Sequence, residues 1–237
     1  TYDGTEKTVT GYTVADISNK LYKEGDFTFS GNAEVKGTNA GTYNMELKPE
    51  DFHNTNGNFS NVSFVIEDGT LTIAQRNVTL TSASATKAYD GKPLRKEAVE
   101  VSGDGFAEGE GAAYSDFASR TTVGTSDNTF TYTLNNGTNK DNYIITPVPG
   151  KLTVTKDENQ VVVTITEKSH TVKYNGKEHT VKGYDVTSIS NPLYKKTDFT
   201  FDGHDEVKGT KAGTYEMKLT SKDFHNTNEN FKDVQLN

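Results

Sequence analysis

Polar and apolar residues alternate along most of this chain. Val161-Val162-Val163-Thr164-Ile165-Thr166, Val78-Thr79-Leu80-Thr81 and Thr129-Phe130-Thr131-Tyr132-Thr133-Leu134 carry β-branched or aromatic residues at a period of two. Asp26-Phe27-Thr28-Phe29-Ser30 and Thr42-Tyr43-Asn44-Met45-Glu46-Leu47 repeat the pattern. A period of two predicts strands with one face buried. Clusters of Gly, Asn and Asp between them predict turns. No long stretch carries the 3.6-residue stripe of an amphipathic helix. Single helical turns are expected at Ile17 to Tyr22, Pro49 to Phe52 and Ser221 to Phe224. The class is all-β.

The pattern also repeats on a larger scale. Tyr2 to Val62 returns as Tyr174 to Val234 at an offset of 172 residues, without a gap. Asp51-Phe52-His53-Asn54-Thr55-Asn56 becomes Asp223-Phe224-His225-Asn226-Thr227-Asn228, and Ala40-Gly41-Thr42-Tyr43 becomes Ala212-Gly213-Thr214-Tyr215. The middle stretch is a divergent relative. All three share a Tyr-(Asp/Asn)-Gly turn, at Tyr2, Tyr89 and Tyr174. The first two end alike, in Gly69-Thr70-Leu71-Thr72-Ile73 and Gly150-Lys151-Leu152-Thr153-Val154. Long internal repeats predict building blocks of an array. The expected organisation is three modules in an A-B-A order, at residues 1–75, 76–158 and 159–237. The joint at Ala74 to Asn77 is short and expected to be stiff. The joint at Lys156 to Gln160 is longer, charged and expected to be looser. In this register the first module lacks an opening strand and the third lacks a closing one, so the sequence reads as cut from something longer.

These motifs resemble the MBG and YDG repeat families. The resemblance rests on the Tyr-Asp-Gly turn, the Ala-Gly-Thr-Tyr run and the Gly-x-Leu-Thr-Ile strand. In the middle module it rests on Thr86 to Leu94, Val101 to Phe106 and Asp141 to Ile145. It implies tandem, elongated immunoglobulin-like β-sandwich modules from a large bacterial surface protein, of the kind called adhesins, secreted or attached to the cell wall. β-grasp-like modules are the alternative fold, and the lack of a central helix counts against them. The function implied is a stalk that projects a distal domain. One alternative is a module that binds a host glycan or protein. Another is a filament subunit completed by strand pairing between chains.

Charge and composition narrow the partners. The net charge is −8 at pH 7, which disfavours nucleic acid and anionic membranes, both of which require basic clusters. Cysteine is absent, so disulfides and thiolate metal sites are excluded. No run approaches the length of a membrane span, and no signal peptide is evident. Neighbouring modules of the same chain are expected partners.

Individual residues predict little chemistry. His53 and His225 occupy equivalent turn positions, and none of His53, His170, His179, His204 or His225 has zinc-like spacing. The acidic loops Asp104 to Glu110 and Asp202 to Glu206 could offer oxygen ligands to calcium, but neither matches the twelve-residue calcium loop. Asn54 to Asn58 reads as side chains capping their own turn. Tyr12, Tyr22, Phe27, Phe29, Tyr43, Phe52 and Phe59 recur in the third module and are read as core. Phe106 and Tyr114 are the aromatic positions to test for glycan binding. Lys87 and Asn142 form a conceivable isopeptide pair. No nucleophile elbow or phosphate loop appears. The chain is expected to be no enzyme, with no cofactor, no metal and no identifiable ligand-binding residues.

Overall fold

A computed structural model describes all residues, 1–237. The chain is all-β, with 41% strand against 5% helix and no closed barrel. Its only helices are four 3-10 turns of three residues each. A β-grasp helix lying across a sheet is therefore absent.

The chain forms two compact units. The first combines residues 1–81 with 99–115 and 131–148. The second combines residues 82–98, 116–130 and 149–237. The middle segment contributes strands to both.

In the first unit, antiparallel ribbons join Lys7–Thr10 to Glu34–Gly37, Phe27–Phe29 to Phe52–Asn54, and Gly41–Asn44 to Thr70–Ile73. A three-stranded sheet places Arg76–Ser82 between Val99–Gly103 and Tyr143–Val148. The latter pair is parallel, with Arg76 opposite Tyr143. A further ribbon pairs Ala112–Ser115 with Thr131–Leu134.

In the second unit, Gly150–Thr155 lies between Gly124–Asn128, antiparallel, and Ala85–Ala88, parallel. Val161–Glu167 lies between Tyr184–Ile189, antiparallel, and Val234–Leu236, parallel. Ribbons join His179–Lys182 to Glu206–Gly209 and Phe199–Phe201 to Phe224–Asn226.

The alternation predicted from sequence decides which side chains go inside. Val78, Leu80, Leu152, Val154, Val161 and Val163 are all buried, and the threonines between them are not. A strand's side chains point to opposite faces in turn, so each such strand has one dry face.

A second local device recurs four times. In four of the five Asp-Phe pairs the Asp accepts the amide three residues upstream, which closes a turn and turns the Phe inward. Asp26 takes Lys23 N at 2.8 Å and Asp51 takes Lys48 N at 2.9 Å. Asp198 takes Lys195 N at 2.8 Å and Asp223 takes Thr220 N at 2.6 Å. The expected turns at Pro49–Asp51 and Ser221–Asp223 are 3-10 helices. The helical turn expected at Ile17 to Tyr22 is a single hydrogen-bonded turn, closed by Tyr22 N on Asn19 O at 3.0 Å.

Several of the recurring aromatics form the cores, with Tyr22, Phe52, Tyr194, Phe199, Phe224 and Phe231 buried. Phe52 meets Tyr12, Phe27, Phe29 and Phe64 with ring centroids 4.9–5.9 Å apart. Phe224 meets Tyr184, Phe199 and Phe201 in the same way. Such pairs add about 0.5–1.5 kcal/mol each beyond simple burial.

The two copies of one sequence do not always adopt the same structure. Gly41–Asn44 is a strand because Thr70–Ile73 lies beside it. Its copy, Gly213 to Glu216, has no strand beside it and is irregular. Tyr184–Ile189 is a strand against Val161–Glu167. Its copy, Tyr12 to Ile17, is irregular. Strand formation here depends on a partner more than on intrinsic propensity.

Candidate functional site: the joints between segments

The most elaborate polar constructions in the chain lie where one segment meets the next. At the first joint, within the first unit, the Tyr2 ring stands edge-on to Tyr143 at 5.7 Å and 85°. Phe106 packs on the same Tyr143 at 5.2 Å. Tyr2 and Tyr143 are both buried. The Tyr143 hydroxyl donates to Glu110 Oε2 at 2.7 Å and accepts the Ala107 amide at 3.0 Å. The Tyr2 hydroxyl donates to Glu110 Oε1. Burial, more than the carboxylate, lifts the Tyr143 phenol to about 12, whereas the bond to Glu110 is the main cause of the rise at Tyr2.

A buried asparagine completes this joint. Asn142 Oδ1 accepts the Ala40 amide at 2.8 Å, and its Nδ2 donates to Asn39 Oδ1 at 3.0 Å. The 3-10 turn Lys140–Asn142 positions it, capped by Asn139. The Arg76 guanidinium donates to the carbonyls of Tyr2, Asp104 and Gly105. Tyr2 itself is tied to its own segment by its amide on Ala74 O at 2.7 Å.

The second joint, within the second unit, repeats this wiring. The Tyr89 amide bonds Thr155 O at 2.9 Å, and the Tyr89 ring stands edge-on to Phe231 at 5.5 Å and 82°. Asn230 Oδ1 accepts the Val123 amide at 2.9 Å. Val123 precedes Gly124-Thr125, as Ala40 precedes Gly41-Thr42. Each joint is thus a Tyr-Asp-Gly turn seated against an Asn-aromatic pair of the following segment. Leu193 lies against Gly91 of that turn, where a Cβ would come within 2.9 Å of its side chain.

The longer linker was expected to make this joint looser. Instead Asp157 is buried and bonded on several sides. Its carboxylate takes Asn159 and Asn191 side-chain amides at 2.7 and 3.0 Å, and its backbone bridges Asn230 and Lys232.

Residues 1–75 match the model of the MBG domain family. MBG is a repeat domain of surface proteins. Tyr2, Asn39 and Ala40 of the matched stretch are its contributions to the first joint, and the third segment resembles that stretch at the 172-residue offset. Searches of curated proteins and of solved structures found no match. No helix is long and apolar enough to cross a membrane.

The other residues singled out in the sequence have local roles. In the Asp104 to Glu110 loop, the Asp104 carboxylate accepts the Asn77 amide at 2.9 Å and Glu110 holds the two joint tyrosines. In Asp202 to Glu206, Asp202 lies 3.0 Å from His225 Nε2 and Glu206 pairs with Lys208 at 2.8 Å. His53 Nε2 bonds the Ser30 hydroxyl at 2.8 Å. No group of three or more His, Asp or Glu is arranged to hold a metal.

Lys87 and Asn142 face different partners, since Lys87 Nζ bonds Asp90 and the Lys92 carbonyl. The Asn-rich run caps itself, with Asn56 N on Asn54 Oδ1 and Asn58 N on Asn56 Oδ1, each at 3.0 Å. Tyr114 is half-buried, and burial raises its phenol. The joint roles of Asn142, considered only as an isopeptide partner, and of Asn230 were missed. Their signal was present in the shared run Thr-Asn followed by Asn-(Tyr/Phe), at Thr138 to Tyr143 and Thr227 to Phe231.

Proposed function

We propose that this chain is a structural, non-enzymatic part of the stalk of a bacterial cell-surface protein. Immunoglobulin-like sandwich modules, at residues 1–75, 76–158 and 159–237, would be joined in series to hold a distal domain away from the cell. The observation that carries this reading is the duplicated joint. Two successive junctions use an edge-on aromatic pair, Tyr2–Tyr143 and Tyr89–Phe231, and the same asparagine-to-amide bond, although the segments they connect differ in sequence. A junction fixed by partly buried hydrogen bonds and packed rings transmits force and direction, which a spacer needs and a freely jointed chain cannot supply. The MBG match over residues 1–75 supports the surface-protein context. The phenylalanine proposed for glycan contact, Phe106, is engaged with Tyr143, which favours the stalk over a binding role for it.

Small-angle scattering on the full chain tests the reading. An elongated particle whose maximum dimension persists across temperature and salt is expected. A compact profile, or a broad distribution typical of independently tumbling modules, overturns it.

A further inference from the structure

The three Tyr-(Asp/Asn)-Gly turns are built alike. In each, the side-chain oxygen of the second residue accepts the amide two residues on. Thr5 N donates to Asp3 at 2.9 Å, Lys92 N to Asp90 at 2.9 Å and Lys177 N to Asn175 at 3.0 Å. A second donor reaches the same side chain. It is Lys7 Nζ at Asp3 and Lys87 Nζ at Asp90, both at 2.5 Å. At Asn175 it is His179 Nε2, at 3.0 Å, from the position equivalent to Lys7. The lysines hold the carboxyls of Asp3 and Asp90 below the usual carboxylate range. The third turn has an amide in that place. A backbone N–H can only donate, so the Asn175 atom that meets Lys177 N is the oxygen, and the His179 nitrogen at that oxygen carries its proton. Two N–H groups therefore converge on the amide oxygen of an Asn followed by Gly. Gly176, at φ +73°, sets no side chain against an approach, and its own N–H makes no hydrogen bond.

We propose that Asn175-Gly176 is a self-modification site, at which the folded turn converts Asn175 to aspartate. Gly176 N attacks Asn175 Cγ and gives its proton to solvent. The amide oxygen takes up the negative charge, and the N–H groups of Lys177 and His179 already point at it, as in an oxyanion hole. The Cγ–Nδ2 bond then breaks, Nδ2 leaves as ammonia with a proton from water, and a succinimide ring remains. Water opens the ring. Addition at Cγ gives aspartate, and addition at the main-chain carbonyl gives isoaspartate. The aspartate product sets a carboxylate beside His179 as Asp3 sets one beside Lys7, so the third turn acquires the charge pattern of the other two. The two other Asn-Gly pairs of the chain lack this arrangement. Asn56 is half-buried and accepts one amide, Asn58 N. Asn136 stands in a turn closed by Thr138 N on Asn135 O, with no donor on its own side chain. Exposure at this position does not depend on whether a joint is filled, because Asp3 and Asp90 keep 41% and 51% of their side-chain surface exposed in the two joints.

The test is peptide mapping of the full chain by mass spectrometry after long incubation in mildly alkaline buffer, once folded and once in denaturant. The Asn175→Asp variant supplies the standard for the converted chain. In denaturant the three Asn-Gly pairs should convert alike. In the folded chain Asn175 should convert several times faster than Asn56 and Asn136. His179→Ala removes one of the two donors and should slow conversion at Asn175 roughly fivefold, the worth of one hydrogen bond, while leaving the other two pairs unchanged. His179→Lys supplies a donor again and should restore the rate. Circular dichroism checks that both variants keep the fold. Conversion at Asn175 no faster than at Asn56 and Asn136 in the folded chain, an unchanged rate in His179→Ala, or no conversion at all would overturn the proposal.

Discussion

The Tyr43 ring lies against Gly37 so closely that a Cβ on Gly37 would come within 2.4 Å of it. Tyr215 covers Gly209 in the same way, also at 2.4 Å. The contexts differ. Tyr43 sits in a paired strand, whereas Tyr215 lies in an irregular stretch and is 45% exposed. Gly37→Ala should therefore lower the stability of its unit by about 1–3 kcal/mol, the usual cost of overpacking. Gly209→Ala should cost less, because Tyr215 can swing outward. Equal losses in denaturant melts would show that strand pairing does not hold the Tyr43 ring in place.

Removing the asparagine of either joint strands a backbone amide. Asn142→Ala leaves Ala40 N without its acceptor, and Asn230→Ala does the same to Val123 N. A polar group left unpaired out of water costs about 1–3 kcal/mol. Hydrogen exchange at Ala40 and Val123 should accelerate in the respective variants. Asn→Asp retains an acceptor oxygen and should restore much of the protection. Unchanged exchange at both amides would remove these bonds as the basis of the joints.

Alkali should loosen the first joint. The Tyr143 phenol is raised to about 12 in the folded chain, mainly by burial. The unfolded chain loses this proton near 10, so the folded state holds it more tightly. The stabilisation is therefore complete below pH 10 and lost as pH rises from 10 towards 12. Tyr143→Phe should flatten that part of the stability profile, and the ultraviolet phenolate signal should show one fewer late-titrating tyrosine. A variant that keeps the full alkaline loss would assign the effect elsewhere, Tyr194 being the other phenol raised to about 12.

Amide exchange should distinguish the two Ala-Gly-Thr-Tyr runs. Residues 41–44 pair with Thr70–Ile73 and should be protected, whereas residues 213–216 have no strand beside them and should exchange freely. Comparable protection would mean that the run forms a strand on its own propensity.

These comparisons show what the sequence could reveal. The alternation around Val78 to Leu80 and Val161 to Val163 identified real strands, because side-chain period and burial are linked through local geometry. Of the duplicated aromatics read as core, Tyr22, Phe52, Tyr194, Phe199, Phe224 and Phe231 are buried, whereas Tyr12 and Tyr215 are 41% and 45% exposed. The joints were less legible. Glu110 looked like part of a cation loop, but its carboxylate is turned towards Tyr2 and Tyr143, residues far from it in sequence. In the sequence Asn142 stands out only as a conceivable isopeptide partner of Lys87, yet it is fully buried and accepts the Ala40 amide. The run at Gly213 by itself does not differ from the run at Gly41, and only the register of the repeat, in which the third module has no counterpart of Thr70–Ile73, separates them. These outcomes depend on which distant segment lies alongside, and local pattern carries no record of that.

The repetition of one joint in both units bears on how such a chain changes over generations. Every segment carries its own turn half and its own receiving half, so neither joint depends on a unique pair of partners. An in-frame exchange between the two copies would delete one 172-residue period. It would leave one hybrid segment that still carries both a Tyr-turn and an Asn-aromatic pair, each able to form a junction of the same kind with a neighbouring segment. Length can then vary by unequal recombination while the architecture of each junction is inherited intact.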